Sequence, residues 1–342
     1  MEWMDQVKPE ALDWLLEKND GEPAIRYLAL RDLVGQTGQD AEMREAYNAA
    51  LQTGAVAQIL TQQAPEGFWV KPGPGYYPKY TSIVWTLSLL AQLGMKADVG
   101  PIRKASEYLL EHARGSYGGF SMSATPGGAI HCLQGNLCAA LCDLGMGDDA
   151  RLQKAAEWMA CSVTNDPYTD MEGTSAPIRY YRIGISGPGF LCSANDHQPC
   201  AWGAVKVALA LSKIPQASRS PAMKKAINAC VDFLLSVDPA TADYPHPYAP
   251  KASTSWFKFG FPVFYITDVL QILEALLGLG LNGDTRLKNA VDFVCSKQDA
   301  QGRWPMEYSY NGKMLVDFEE KKTPSKWVTL RALRVIKRYY AS

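Results

Sequence analysis

Apolar and polar residues alternate along the chain with a helical period. In four segments, including residues 103–112 and 224–235, apolar residues recur at steps of three and four. This spacing predicts helices with one buried face and one wet face. Each is followed, after a loop, by a segment such as 81–93 that is apolar around more of its circumference. The alternation predicts pairs of helices, one amphipathic and outer, the other apolar and inner.

Six such helical hairpins are predicted, and few segments have the period of two that a β-sheet would need. The hairpins pair residues 9–18 with 23–34, 41–63 with 80–93, 101–113 with 130–144, 149–163 with 200–211, 220–237 with 262–279, and 285–297 with 325–339. Repetition of one supersecondary unit indicates a closed or stacked helical array. The predicted fold class is therefore all-α, with an inner and an outer ring of helices.

Two motifs carry a resemblance to a known family. Gln63-x-x-x-Gly67-x-Trp69 and Gln298-x-x-x-Gly302-x-Trp304 each follow an outer helix, and Gly118-Gly119-Phe120 is a degenerate copy. They resemble the repeat of squalene–hopene cyclase-like proteins. The resemblance implies an (α/α)6 toroid of the terpenoid cyclase and protein prenyltransferase superfamily, with residues 1–342 as one domain. The motif itself is expected to pack helices together and to carry no chemistry.

The chain lacks the catalytic motifs that are typical of that superfamily. Neither the Asp-x-Asp-Asp acid of class II terpenoid cyclases nor the Asp-rich metal motif of terpene synthases is found in the sequence. The fold resemblance therefore cannot fix the reaction. Two hairpins instead contain long insertions, at about 164–199 and 238–261. Long irregular segments in a compact domain often act as lids or binding loops.

Composition and charge limit the partners and the cellular location that we expect for the protein. The 342 residues have a net charge of −1, with no basic run interleaved with aromatic residues, so nucleic acid is not an expected partner. No signal-peptide pattern and no apolar run long enough to span a bilayer is found, which predicts a cytoplasmic protein without a transmembrane segment. The eight cysteines are then expected to be reduced. The sequence does not determine whether the protein is a homodimer.

Reactive side chains are concentrated in residues 187–211, an irregular loop that leads into an apolar helix. Two thiols, a carboxylate and an imidazole fall within nine positions: Cys192, Cys200, Asp196 and His197. In a toroid all outer-to-inner loops emerge at one end, so the N-termini of the inner helices should surround one cavity mouth. His131, Cys132 and Asp268 would join the site there. Helix N-termini also lower thiol pKa values.

One hypothesis assigns these groups to acid–base catalysis without a metal. The candidate catalytic residues are Cys192, Cys200, His131, Asp196 and Asp268. The candidate substrate-binding residues are Tyr77, Tyr80, Trp256, Tyr265, Trp327 and Arg182. The predicted enzyme isomerises, hydrates, dehydrates or cyclises a hydrophobic unsaturated small molecule, isoprenoid-like or aromatic, in an apolar, aromatic-lined cavity.

Other hypotheses use the same residues differently. A zinc site of prenyltransferase type would take ligands from Cys132, Cys192, Cys200 and His197, since thiolate and imidazole suit that ion. A non-catalytic toroid would bind a lipid or a partner protein. In a purely structural alternative, Cys192 and Cys200 line packed loops and His131 is a core histidine.

Overall fold

Helices dominate the structure. The computed structural model describes residues 3–19, 21–171, 174–176, 185–247 and 251–341, with 54% helix and 4% strand. The α-helices in these ranges are α1 Pro9–Leu16, α2 Pro23–Ala29, α3 Ala41–Gln52, α4 Gly54–Leu60, α5 Ile83–Gln92, α6 Gly100–His112, α7 His131–Asp143, α8 Ala150–Thr164, α9 Ala201–Ser212, α10 Pro221–Leu234, α11 Val269–Gly278, α12 Lys288–Ser296 and α13 Lys326–Tyr340. A π-helical turn, Leu30–Val34, continues α2.

The two predicted helix types are both present. The inner helices are α2, α5, α7, α9, α11 and α13, and the outer helices precede them in the chain. Inner helix α5 buries every residue from Ile83 to Ala91, whereas outer helix α6 buries one face only. Successive inner helices from α5 to α13 pack against one another, and α13 packs against α2. The six hairpins predicted from the apolar spacing are confirmed.

The ring of inner helices closes between α2 and its two neighbours. Lys337 Nζ at the end of α13 donates hydrogen bonds of 2.9 Å to the carbonyl oxygens of both Asp32 and Leu33. On the other side, Gly94 after α5 lies so close to α2 that a Cβ there would be 2.5 Å from Leu28 Cδ2. This closed arrangement is an (α/α)6 toroid, as predicted.

The repeat motif packs helices, as expected. Trp69 and Trp304 are fully buried. Their indole N–H groups donate to the carbonyl oxygens of Ile59 and Val294, at 2.9 and 2.8 Å, near the ends of the preceding outer helices. Each tryptophan therefore fastens its loop to the helix before it.

Helix α11 starts later than the apolar pattern predicts, at Val269 instead of residue 262. Residues 259–268, which we call the plug, instead bridge three inner helices. Gln92 of α5 bonds both the N–H and the carbonyl of Val263, at 2.8 and 3.0 Å. Asn136 of α7 donates to Phe264 O at 3.2 Å, and Arg331 of α13 donates to Gly260 O at 2.8 Å. The plug therefore crosses the interior of the ring.

The described parts of the insertions are mostly irregular. β1 Tyr168–Met171 pairs antiparallel with β2 Thr174–Ala176, and β3 Leu191–Cys192 with β4 Gln198–Pro199. Asn195 Nδ2 bonds Pro199 O at 2.9 Å and Pro245 O at 3.0 Å, which ties the two insertions together. No helix in the described part of the chain combines the length and the apolar character needed to cross a membrane.

Candidate functional site

The N-terminal ends of the inner helices surround packed aromatic rings. Tyr80, a predicted substrate-binding residue, lies with its ring centroid 4.6 Å from Tyr310, 5.1 Å from Trp85 and 5.7 Å from Phe264. Phe264 belongs to the plug, which delivers its side chain into this cluster. Tyr80, Trp85, Phe264 and Tyr310 therefore pack against one another at this end of the ring.

Of the other predicted substrate-binding residues, Tyr265 lies beside the same cluster, whereas Trp256 and Trp327 pack against other rings. Tyr77 is 55% exposed, and Tyr265 packs 5.2 Å from the Trp85 ring. Trp256 is buried against Tyr244, with centroids 5.3 Å apart. Trp327 is buried and stacks on Phe261 at 4.2 Å. Arg182 lies outside the described residues. These positions favour packing roles for Trp256 and Trp327.

Three of the predicted thiols do come together. Cys200, the N-cap of α9, interacts with Cys132 in the first turn of α7 and with Cys192 on β3. Hydrogen bonding to Cys132 is the main cause that raises the pKa of Cys200 to about 12. The Cys200 contact and burial hold the pKa of Cys192 far above its usual range. Both thiols are therefore protonated at neutral pH. A helix N-terminus alone would lower the pKa of a nearby thiol, and here the contacts between the thiols and their burial outweigh that effect.

The predicted imidazoles and carboxylates do not share that environment. His131 is buried, its Nε2 lies 3.0 Å from Ser162 Oγ on outer helix α8, and burial lowers its pKa to about 4. Asp196 and His197 are exposed in the turn between β3 and β4, with φ of 53° and 57°. Asp268 is buried and its carboxylate is bound by Arg331. His131 thus remains neutral in the core, and Asp268 is part of an ion pair.

The described residues give no support to a zinc centre. No group of three or more histidine, cysteine, aspartate or glutamate side chains there has an arrangement that could hold a metal ion. In particular, exposed His197 and buried Cys132 and Cys192 differ in their access to solvent. The geometry around these thiols therefore does not favour zinc.

A cavity of about 710 Å³ lies at the opposite end, among the C-terminal halves of the inner helices. Its wall has apolar patches from Ala91, Ala139, Leu209, Leu277 and Val335. Cationic side chains outnumber carboxylates seven to three. The cations are Arg31, Lys96, Lys213, Arg331, Arg334, Lys337 and Arg338, and the carboxylates are Asp32, Asp143 and Glu274.

Ion pairs leave positive charge in surplus around this cavity. Asp32 is bound by both Arg31 and Arg334. Burial alone would raise the pKa of Asp32, but these two guanidinium groups lower it to about 2. Arg334 Nε is buried and has no hydrogen-bond partner among the described residues. Two guanidinium groups thus share one carboxylate, which leaves binding capacity for an anion.

The floor of the cavity is a buried polar network centred on Arg331. Its guanidinium donates to both Asp268 oxygens, at 2.8 and 2.9 Å, and to Glu274, at 2.9 and 3.3 Å. Gln271, which also lines the cavity, accepts from Lys206 Nζ. Lys206 is fully buried, and burial lowers its pKa to about 7. The network fixes the Glu274 carboxylate at the cavity surface, where its side chain is 23% exposed.

Sequence reasoning missed this site although a signal was present. Arg331, Arg334, Lys337 and Arg338 recur at steps of three and four along α13, which was predicted to be an inner helix. On an inner helix, a cationic face of this spacing can only be accommodated toward a hollow or an ion-pair network. Basic residues are common near the C-termini of helices, where they interact favourably with the helix dipole. The basic residues of α13 therefore have an ordinary explanation in the sequence alone.

Comparisons with known proteins support the fold and leave the site unassigned. No protein-family model matches the chain, and no curated protein matches it either. The crystal structure of an unsaturated glucuronyl hydrolase specific for heparin superposes with a TM-score of 0.50 and 14% identity, covering 97% of this chain and 89% of that one. The type II terpene cyclase MstE from Scytonema reaches a TM-score of 0.28 with 13% identity, covering 84% of this chain and 95% of that one. The first match agrees with the α/α toroid fold.

Proposed function

We propose that this protein binds a small anionic molecule with an apolar part in the cavity at the C-terminal ends of the inner helices, and acts on it as an enzyme. The observation that carries the proposal is the surplus of cations around a hollow of about 710 Å³. That volume is within the usual range of small-molecule sites. The apolar wall would hold the body of the ligand and the guanidinium and ammonium groups its anionic group.

The reaction we propose is proton transfer at the cavity floor. Isomerisation, hydration, dehydration and cyclisation of an unsaturated molecule each need a positioned acid or base. Glu274 lines the cavity and is oriented by Arg331 at 2.9 Å. Because Arg331 is itself held by Asp268, the carboxylate of Glu274 is fixed on a rigid support. We therefore assign proton transfer to Glu274 rather than to the thiols and His131 considered from the sequence.

Removing two cavity cations should weaken anion binding at least tenfold. The double variant Arg334→Gln, Arg338→Gln loses charge-assisted contacts, each typically about 1.5–3 kcal/mol. The probe is 8-anilinonaphthalene-1-sulfonate, an anion with an aromatic body, titrated by fluorescence. Lys224→Gln on outer helix α10 is the matched control, since Lys224 is exposed and is not among the residues that line the cavity.

Uncharged N-phenyl-1-naphthylamine separates charge from apolar contact in the same titration. The proposal requires that it bind more weakly than the sulfonate, and that added salt weaken the sulfonate alone. Equal affinities of the double variant and Lys224→Gln for the sulfonate would overturn the proposal.

Glu274→Gln should have opposite effects on binding and on turnover. Loss of a negative charge beside the anion should tighten sulfonate binding about fivefold, because like charges repel. Turnover should fall by about 10²-fold or more, because the amide cannot exchange a proton. Turnover is measured on a compound that the unsubstituted protein converts, found by mass spectrometry in a pool of unsaturated carboxylates and phosphates. Retained turnover in Glu274→Gln would remove Glu274 from the reaction.

A further inference from the structure

The floor of the cavity contains a hydrogen-bond donor to which the proposed function gives no role. We infer that Gln271 presents its side-chain N–H groups to a neutral carbonyl oxygen of the bound molecule, beside Glu274, so that the site selects anions that also contain a ketone, ester or amide group. The inference rests on the proposed function, because it concerns the same cavity and the same carboxylate, and it adds the class of substrate.

Contacts inside the protein determine which way the Gln271 amide points. Its Oε1 atom accepts hydrogen bonds from Lys206 Nζ of α9 and from Thr267 Oγ1 of the plug. Both of these side chains are buried. An ammonium group has three donors and no acceptor, so a rotated amide would place its own N–H groups against the donors of Lys206. The amide oxygen therefore faces the protein interior, and the amide nitrogen faces away from it.

The amide nitrogen of Gln271 is open to the cavity. Gln271 lines the hollow although its side chain is only 5% exposed. Its hydrogen bonds to other described side chains both end at Oε1, which leaves Nε2 without a partner among the described residues. Nε2 is also not one of the fully enclosed side-chain atoms that lack a partner in this part of the chain. Two unused N–H donors therefore face the space in which a ligand would lie.

The backbone that carries Gln271 is held in place as well. The N–H group of Gln271 donates to Oδ1 of Asp268, the N-cap of α11, at 2.9 Å. Asp268 is in turn bound by Arg331. Glu274 is three residues further along α11, so it lies beside Gln271 on the same face of the helix, and both line the cavity. One small molecule can therefore contact the donor and the carboxylate at the same time.

A carbonyl group held by Gln271 makes the carbon next to it more acidic. When Glu274 takes a proton from that carbon, the electron pair of the C–H bond moves into the carbonyl group, and its oxygen becomes negative. The Gln271 N–H groups stabilise this charge, and the Lys206 ammonium on the amide oxygen strengthens them as donors. Glu274 returns the proton to another carbon of the conjugated system. The step is thus an isomerisation that consumes no oxidant or reductant.

Two probes of the same shape and charge test the donor. 4-Acetylbenzoate and 4-isopropenylbenzoate carry the same carboxylate, and a C=CH2 group in the second replaces the C=O group of the first. Displacement of 8-anilinonaphthalene-1-sulfonate from the cavity measures the Kd of each. The unsubstituted protein should bind the acetyl compound about three- to tenfold more tightly, as one additional hydrogen bond predicts.

Two variants separate the donor from the space that it fills. Gln271→Met removes the N–H groups and should make the two affinities equal. Gln271→Glu keeps one oxygen for Lys206 and Thr267 and places a second oxygen where the nitrogen was, so the preference should reverse. The added charge acts on both probes alike and cancels in the ratio of their affinities. Gln153→Met on outer helix α8, at an exposed position outside the cavity lining, is the matched control and should keep the preference.

Turnover gives a second readout. The compound that the unsubstituted protein converts should contain a neutral carbonyl group. Gln271→Met should lower its kcat by about 10²-fold or more, as the loss of one donor to a developing oxyanion does. Conversion of a compound without such a group would contradict the inference and leave Glu274 as proposed.

The binding results distinguish this inference from the proposed function. Equal affinities of the unsubstituted protein for the two probes, or an unchanged preference in Gln271→Met, would overturn the role of Gln271 and leave the anion site in place. Failure of both probes to displace the sulfonate would overturn the anion site, and this inference with it.

Discussion

Replacing Arg331 by methionine is expected to lower the free energy of unfolding by about 3–5 kcal/mol, because it leaves two carboxylates without their buried partner. The Arg331 and Asp268 side chains are only 6% and 5% exposed, and Glu274 also depends on this guanidinium. Methionine keeps much of the side-chain volume, so the loss reports the ion pairs and the hydrogen bond to Gly260 O rather than a cavity. Urea denaturation followed by circular dichroism measures it.

Two comparisons test the electrostatic origin of that loss. Lys225→Met breaks a surface pair with Asp166, in which the side chains are 58% and 32% exposed, and should cost at most about 1 kcal/mol. Adding Asp268→Asn and Glu274→Gln to Arg331→Met should recover part of the stability, because no buried carboxylate is then left charged without a partner. A triple variant less stable than Arg331→Met would contradict the explanation.

Gly135→Ala should destabilise the protein by about 3 kcal/mol through a backbone clash. Gly135 lies within α7 at its contact with α9, where a Cβ would be 2.4 Å from the carbonyl carbon and oxygen of Lys206. Since the obstacle is backbone, the two inner helices must move apart to accept the methyl group. Thermal unfolding of the variant measures the loss.

The control for this substitution is Gly100→Ala at the start of α6. A Cβ at Gly100 would have no neighbour within 4 Å. Alanine has the higher helix propensity, so this variant should be unchanged or slightly more stable, by at most about 1 kcal/mol. If Gly135→Ala were equally harmless, the close approach of α7 and α9 would be wrong.

The fold was predictable because it depends on local patterns. Apolar steps of three and four, and loops after each outer helix, are enough to place six hairpins. The repeat motif then indicated how they associate, and the buried Trp69 and Trp304 confirm its packing role. Each of these signals is local, because it lies within one helix or in the loop that follows it.

The interior of the ring was not predictable in the same way. The apolar run that includes Phe261 and Phe264 suits an inner helix as well as the plug, because both are buried. Hydrogen bonds from Gln92 and Asn136, far away in sequence, decide the outcome. The thiols of Cys132, Cys192 and Cys200 share one environment, whereas His131 turns toward Ser162, which the sequence pattern does not indicate.

The plug affects how a small molecule can enter and leave the ring. In the part of the chain that the structure describes, aromatic rings occupy the end where the inner helices begin, so we expect the hollow at the far end to open on one side only. A substrate would enter and its product leave by the same route, past the same basic side chains. A product that keeps its anionic group would therefore compete with fresh substrate, and competitive product inhibition would follow from the architecture itself.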